Sequence, residues 1–218
     1  MSRRTARRRD PRRRREPGRM SDIRAVVIGA SAGGVQALAE LLPSFSDRTA
    51  AAILIVLHLP RDRPSLLSDV FSAKCALKVR EAQDKEPIEP GTVYFAPSNY
   101  HLLVDEGPQL ALSADDLVHH SRPSIDVLFE SAAEVYRERL LGVILTGANE
   151  DGAEGLAAVH DAGGVTVVQE PETAQVSTMV LSAMRLTDPD FVLPLGRIAE
   201  LFGTVGLTTS LRTDRPLG

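Results

Sequence analysis

From Ile23 onward, short apolar runs alternate with stretches whose apolar residues recur at three- and four-residue spacing. Residues 23–28 predict a strand. A helix follows, with Val35, Leu38, Leu41 and Leu42 on its apolar side, and Pro43 ends it. Residues 51–57 form a second unbroken apolar run, as expected of a strand buried on both faces. Beyond Pro60 and Pro64, a second helical pattern aligns Leu66, Leu67, Val70, Phe71 and Cys75. Together these units read as βαβα, the pattern of a parallel sheet covered by helices.

The middle of the chain changes character. Residues 77–80, 92–96, 102–104 and 109–112 predict short strands separated by Pro, Gly, Asn and Asp. The last two predict a hairpin around Asp105-Glu106-Gly107-Pro108. Alternation then resumes with a helix opened by Pro123, carrying Ile125, Leu128, Phe129, Ala132, Ala133 and Tyr136 on one face. Residues 140–145 predict a strand, 153–161 a helix stopped by Gly163-Gly164, and 165–169 another strand. A helix at 177–186, a short strand at 191–193 and a helix at 198–202 complete the pattern. The expected fold is α/β: a doubly wound, mostly parallel sheet with helices on both faces and a short antiparallel hairpin. One folded domain is expected at 20–206, followed by a loose C-terminal tail at 207–218.

The 218 residues, 43% of them hydrophobic, suffice for one buried core. No apolar run is long enough for a membrane span, and no secretory h-region follows the basic start. The single cysteine, Cys75, cannot form an internal disulfide, and its apolar setting predicts a buried, inert thiol. A reducing cytoplasm is the expected compartment. The net charge of −4 conceals an asymmetry, because residues 1–19 hold ten arginines against Asp10 and Glu16. That segment carries +8 and the remainder −12. Two readings stand: a disordered arm for nucleic acid or acidic surfaces, or, as the simpler one, a start assigned too early, with Met20-Ser21-Asp22 the cleaner beginning. Nucleic acid is not the expected partner.

In an open parallel sheet, chemistry gathers beyond the carboxyl ends of the strands. The first predicted strand ends in Gly29-Ala30-Ser31-Ala32-Gly33-Gly34, the second in His58, and the strand at 140–145 in Thr146-Gly147-Ala148-Asn149-Glu150-Asp151-Gly152. A serine among small residues at a strand-to-helix turn is open to another reactant, and Gly29, Ser31 and Gly33 fit G-x-S-x-G. Serine is a poor nucleophile until an imidazole accepts its proton. An acid, Asp151 or Glu150, would orient that imidazole. The N–H groups of Ala32 and Gly33 are candidates for holding the oxyanion. Each residue also has a plainer role: Ser31 as a helix cap, His58 as a loop histidine, the two acids as helix-start charges. His101, His119, His120 and His160 form no metal-ligand spacing with carboxylates or Cys75, so no metal is expected. A dinucleotide fingerprint would need glycine where Ser31 stands, and a P-loop would need Lys after Gly34, where Val35 follows.

The motifs also carry a resemblance. Val27-Ile28-Gly29-Ala30-Ser31-Ala32-Gly33-Gly34, Leu57-His58-Leu59-Pro60, Pro90-Gly91-Thr92-Val93-Tyr94-Phe95-Ala96-Pro97 and Ser121-Arg122-Pro123-Ser124-Ile125-Asp126-Val127-Leu128-Phe129 stand in order, followed by Gly142-Val143-Ile144-Leu145-Thr146-Gly147 and Asn149-Glu150-Asp151-Gly152. Residues 22–203 thereby resemble the catalytic domain of the bacterial chemotaxis protein-glutamate methylesterases, which also deamidate receptor glutamines. The resemblance implies Ser31 as nucleophile, His58 as base and Asp151, rather than Glu150, as orienting acid. It implies hydrolysis of glutamate γ-methyl esters on a methylated chemoreceptor or similar signalling protein, with no cofactor. The chain departs from the family pattern at Ala32, where Thr is common, at Ala148, where Met is common, and at Ser177-Thr178-Met179-Val180, which replaces a Gly-Met-Pro segment. Nineteen Arg-rich residues cannot form the receiver domain many members carry, so activity without phosphorylation in cis, or control by a separate regulator, is expected. The alternatives are a catalytically degenerate module that binds signalling partners and a general small-ester hydrolase.

Overall fold

The computed structural model describes residues 20–59 and 67–207. The Arg-rich segment 1–19, residues 60–66 with Pro60, Arg61, Arg63, Pro64 and Leu66, and residues 208–218, expected to be a loose tail, lie outside the described residues. Seven strands form one parallel sheet: β1 (Ala25–Ala30), β2 (Ala52–Leu57), β3 (Lys78–Glu81), β4 (Thr92–Phe95), β7 (Leu140–Ile144), β8 (Val165–Gln169) and β9 (Phe191–Leu193). Their order is β3-β4-β2-β1-β7-β8-β9, so the chain winds outward from β1 one way and from β7 the other. β5 (His101–Asp105) and β6 (Gln109–Ser113) form the antiparallel hairpin as a sheet of their own.

Alternation along each strand divides the core into two layers. Val26 and Ile28, with Ile53, Ile55, Val143 and Val167, point to one face, where α1 (Gly34–Leu41), α2 (Leu67–Ser72) and α6 (Leu195–Phe202) pack. Val27, Leu54, Val56 and Val168 point to the other, toward α3 (Ile125–Tyr136), α4 (Ala153–Asp161), α5 (Thr178–Leu186) and the hairpin. Every residue of β1, β2 and β7 is buried, which is why these runs show no polar alternation in the sequence.

Several details differ from the expectation. Val35 and Val70 are exposed rather than core-facing, because α1 and α2 bury only a narrow stripe each. The α-helix ends at Leu41, before Pro43 as expected, but Pro43 itself lies in a further 3-10 turn at Leu42–Ser44. Pro123 precedes α3, and Ser124 is its N-cap. Cys75 follows α2 half-buried, with its thiol 3.5 Å from Leu42 O, and burial pushes the thiol pKa up. Among the described residues no helix is long and apolar enough to cross a membrane.

Where α3 and α4 cross, Gly155 leaves no room for a side chain of its own. A Cβ on Gly155 would lie 2.6 Å from Phe129 Cβ and 2.9 Å from the Asp126 backbone. Replacing Gly155 by Ala should therefore destabilise the fold by about 1–3 kcal/mol. Urea unfolding measures this as a lower midpoint at unchanged slope; an unchanged midpoint would show that the crossing has slack.

Candidate active site

The crevice at the carboxyl end of the sheet opens where the winding reverses, between β1 and β7. The register pairs Ala30 of β1 with Leu57 of β2, so Ser31 and His58 are the next residue on each strand. The His58 N–H donates to Ala30 O at 3.0 Å and ties the two strand ends together. Asp151 arrives from the loop after β7, just before α4.

Ser31 does not cap α1. The cap position is Gly33, at φ 83° and ψ −5°, and no side chain caps the helix. The Ser31 hydroxyl bonds to no described residue, His58 included. Its turn is held instead by backbone: Gly34 N–H donates to Ser31 O at 2.8 Å, and Ser31 N–H to Thr146 O at 3.0 Å. Thr146 Oγ1 donates to Ala32 O at 2.8 Å, bracing the turn from β7. Only glycine fits position 33, because a Cβ would meet Gln175 Oε1 at 2.7 Å on a left-handed backbone. The N–H groups of Ala32 and Gly33 donate to no described residue.

Asp151 is completely buried and caged. Its Oδ2 accepts the Ile125 N–H at 2.7 Å, and its Oδ1 accepts the Ser124 hydroxyl at 2.8 Å and the Asp126 N–H at 3.1 Å. The carboxylate thus sits on the positive end of α3. His58 Nε2 stands 2.9 Å from Oδ2, although its N–H is not aimed along that line. Burial alone would raise the Asp151 pKa, but His58, the Ile125 N–H and the Ser124 hydroxyl together hold it below the ordinary carboxylate value. Glu150, the other candidate acid, is exposed and faces His119 Nδ1 at 3.6 Å. Of the two acids, Asp151 is the one that touches His58.

Several residues of this edge escaped the sequence reading. Asn149 places its Nδ2 3.4 Å from His58 Nδ1 and 3.3 Å from Ser121 Oγ. His101 is buried; its Nδ1 accepts the Ser124 N–H at 3.1 Å while Nε2 donates to Asp116 O at 3.0 Å. Asp126 is a second buried carboxylate. Its Oδ1 accepts the Gly155 N–H at 2.6 Å, and Oδ2 lies 3.4 Å from His119 Nε2. Burial pushes its pKa up, the Gly155 N–H opposes this, and the Asp151 charge adds to it, leaving the group at about 7. Only Ser124 had a readable signal, as a Ser at a helix start. At the departures from the family pattern, Ala148 is exposed, whereas Met179 is buried with its N–H on Gly147 O at 3.0 Å.

Beside His58 lies a recess of about 230 Å³. Leu57, Leu59, Leu67, Ala96 and Pro123 give it an apolar lining, and Ser98, Asn99 and Arg122 a polar rim. Ser31, His58 and Asp151 do not line it; its lining reaches them through chain neighbours, Leu57 and Leu59 flanking His58 and Pro123 preceding Ser124, whose hydroxyl binds Asp151.

A doubly wound sheet with an imidazole–carboxylate pair at its reversal point, beside an unbonded serine, belongs among the α/β ester hydrolases. Comparison with known proteins narrows this to one family. Residues 26–202 match the family described as CheB methylesterase, and the chain belongs to it. A Leptospira interrogans protein bearing a protein-glutamate methylesterase/protein-glutamine glutaminase name is 47% identical over 82% of this chain and 92% of its own length. A Symbiobacterium thermophilum protein-glutamate methylesterase/protein-glutamine glutaminase is 40% identical over 81% of this chain and 49% of its own. The crystal structure of the Thermotoga maritima CheB methylesterase catalytic domain superposes with a TM-score of 0.79 at 33% identity, covering 84% of this chain and 99% of that one.

The two buried carboxylates give opposite pH dependences. Asp151 has a lowered folded pKa, so its stabilisation is present above the unfolded value near ~3.9 and is lost as pH falls through the folded one. Asp126 has a raised one, so the folded chain holds its proton and stability declines as pH rises from about 4 to about 7. Asp126→Asn should remove that decline and gain on the parent by up to about 1.4 kcal/mol per pH unit across this window. Urea unfolding from pH 4 to 8 measures it; parallel curves for the two proteins would contradict the assignment.

Proposed function

We propose that this chain is a serine esterase that hydrolyses glutamate γ-methyl esters on chemoreceptor-like proteins through Ser31, His58 and Asp151. The observation that carries the reading is the contact between His58 and a buried, ionised Asp151 one strand away from Ser31. Family membership and the names of the relatives support the substrate class. The same site would deamidate glutamines, with ammonia leaving instead of methanol.

The chemistry follows from the groups present. An ionised carboxylate only accepts hydrogen bonds, so the ring nitrogen facing Asp151 carries the proton and Nδ1 keeps its lone pair. Ser31 gives its proton to Nδ1 as Oγ attacks the ester carbonyl. Substrate binding tightens the alignment that the resting site lacks. The free N–H groups of Ala32 and Gly33 receive the oxyanion, each such donor contributing about 2.7–4 kcal/mol to the transition state. Asp151 stabilises the imidazolium, which protonates methoxide as the acyl bond to Ser31 forms. Water, deprotonated by His58, then frees the glutamate carboxylate and restores Ser31.

Methanol release from a methylated receptor should disappear in Ser31→Ala and fall at least about a hundredfold in His58→Ala. A fluorophosphonate should label Ser31 in the parent and not in Ser31→Ala. Undiminished release by Ser31→Ala rejects the mechanism. An unlabelled parent favours a degenerate binding module, and turnover of p-nitrophenyl acetate without any of methylated receptor favours a general esterase.

A further inference from the structure

Arg122 is a cation fixed at the catalytic edge without a counter-ion among the described residues. Its Nε–H and one Nη2–H share Asn99 Oδ1, at 3.3 and 2.8 Å. Its two Nη1–H groups go to the carbonyls of Ala114 and Asp115, at 2.6 and 2.7 Å. All these acceptors are neutral, and the nearby Asp115 carboxylate is engaged by the Ser113 hydroxyl at 2.5 Å. Four of the five donors hold the guanidinium still, leaving one Nη2–H and a whole positive charge unspent.

That charge stands on the rim of the recess beside His58, with Ser98 and Asn99. The Ser98 hydroxyl and the Asn99 amide nitrogen bond to no described residue and add donors to the same rim. No acid lines the recess among the described residues, although the chain beyond residue 19 carries −12. At about 230 Å³ the space falls short of sites that enclose a whole small molecule and suits one side chain.

From the fixed guanidinium, the free donors, the lining by Leu57 and Leu59 on either side of His58, and the Asn149 amide that reaches both His58 and Ser121, we propose that Arg122, Asn99 and Ser98 form a subsite for a carboxylate side chain of the protein substrate, next to the ester under attack. Arg122 is then a specificity residue, distinct from the groups that do the chemistry. It admits substrates whose ester lies in an acidic segment, and it offsets the repulsion an acidic enzyme body exerts on them. The assignment rests on the esterase reading for the position of the ester, but the binding itself does not.

Full-length Ser31→Ala, which cannot turn substrate over, is titrated by calorimetry with two peptides that carry a glutamate methyl ester. In one the ester is flanked by glutamates, in the other by glutamines. The acidic peptide should bind tighter, and adding Arg122→Gln should weaken it by about five- to tenfold while leaving the glutamine peptide unchanged. The advantage of the acidic peptide should also shrink as salt is raised. In the Ser31-containing protein, Arg122→Gln should raise KM for the acidic substrate and leave kcat, fluorophosphonate labelling and p-nitrophenyl acetate turnover as they were. Equal binding of both peptides by the Arg122-containing protein overturns the proposal. So does an Arg122→Gln protein whose labelling, small-ester turnover and melting temperature all fall together, since Arg122 would then be a brace for its loop. If the Arg122-containing protein neither takes the label nor releases methanol, the esterase reading fails, while the calorimetric comparison still decides the subsite.

Discussion

The candidate active site rests on a carboxylate placed at the end of a helix. Asp151 has no contact with bulk water, and an isolated charge there would be prohibitively costly. It stays ionised because α3 begins against it, with two backbone N–H groups and the Ser124 hydroxyl on its oxygens. Ser124 Oγ also accepts the Val127 N–H at 3.5 Å, so the hydroxyl that caps the helix is the one that binds the acid. The start of α3 and the charge of Asp151 therefore depend on each other.

The surrounding parts fix the distance between this helix end and the strand ends. Gly152, at φ 100°, caps α4 directly after Asp151, and a Cβ there would meet Ile144 and Ile125 at under 3 Å. Gly33 does the same for α1 after Ser31. Two left-handed glycines, one on each side of the reversal point, thus turn the chain sharply enough for both loops to occupy one crevice. Thr146 joins them, since its carbonyl holds Ser31 N–H and its hydroxyl holds Ala32 O. These bonds hold the Ser31 turn and the Asp151 loop at a constant separation, which the proposed mechanism requires.

Asp126 shows what close construction costs. It shares the first turn of α3 with the backbone that serves Asp151, and it too is buried. Two adjacent carboxylates in one apolar setting cannot both ionise cheaply. Their pKa values divide, Asp151 below its ordinary range and Asp126 at about 7. His119, noted in the sequence only for its lack of metal-ligand spacing, faces the second of them.

The succession of strands and helices was open to reading because strands buried on both faces are unbroken apolar runs, and the helices between them repeat at helical spacing. Ser31 and His58 were legible for the same reason, as the residues standing just past two such runs. Between Asp151 and Glu150 the residues alone gave no choice, since both follow β7 and differ only in direction; the fold turns Asp151 inward onto α3 and Glu150 out toward His119. Asn149, His101, Asp126 and Thr146 were silent in the sequence, because each acts on a partner more than twenty residues away. Local chemistry along the chain determined which elements form and which residue types stand at their ends. Which of those ends share a hydrogen bond was decided only by the winding of the sheet and the crossing of α3 over α4, since proximity there comes from packing and leaves no periodic trace in the chain.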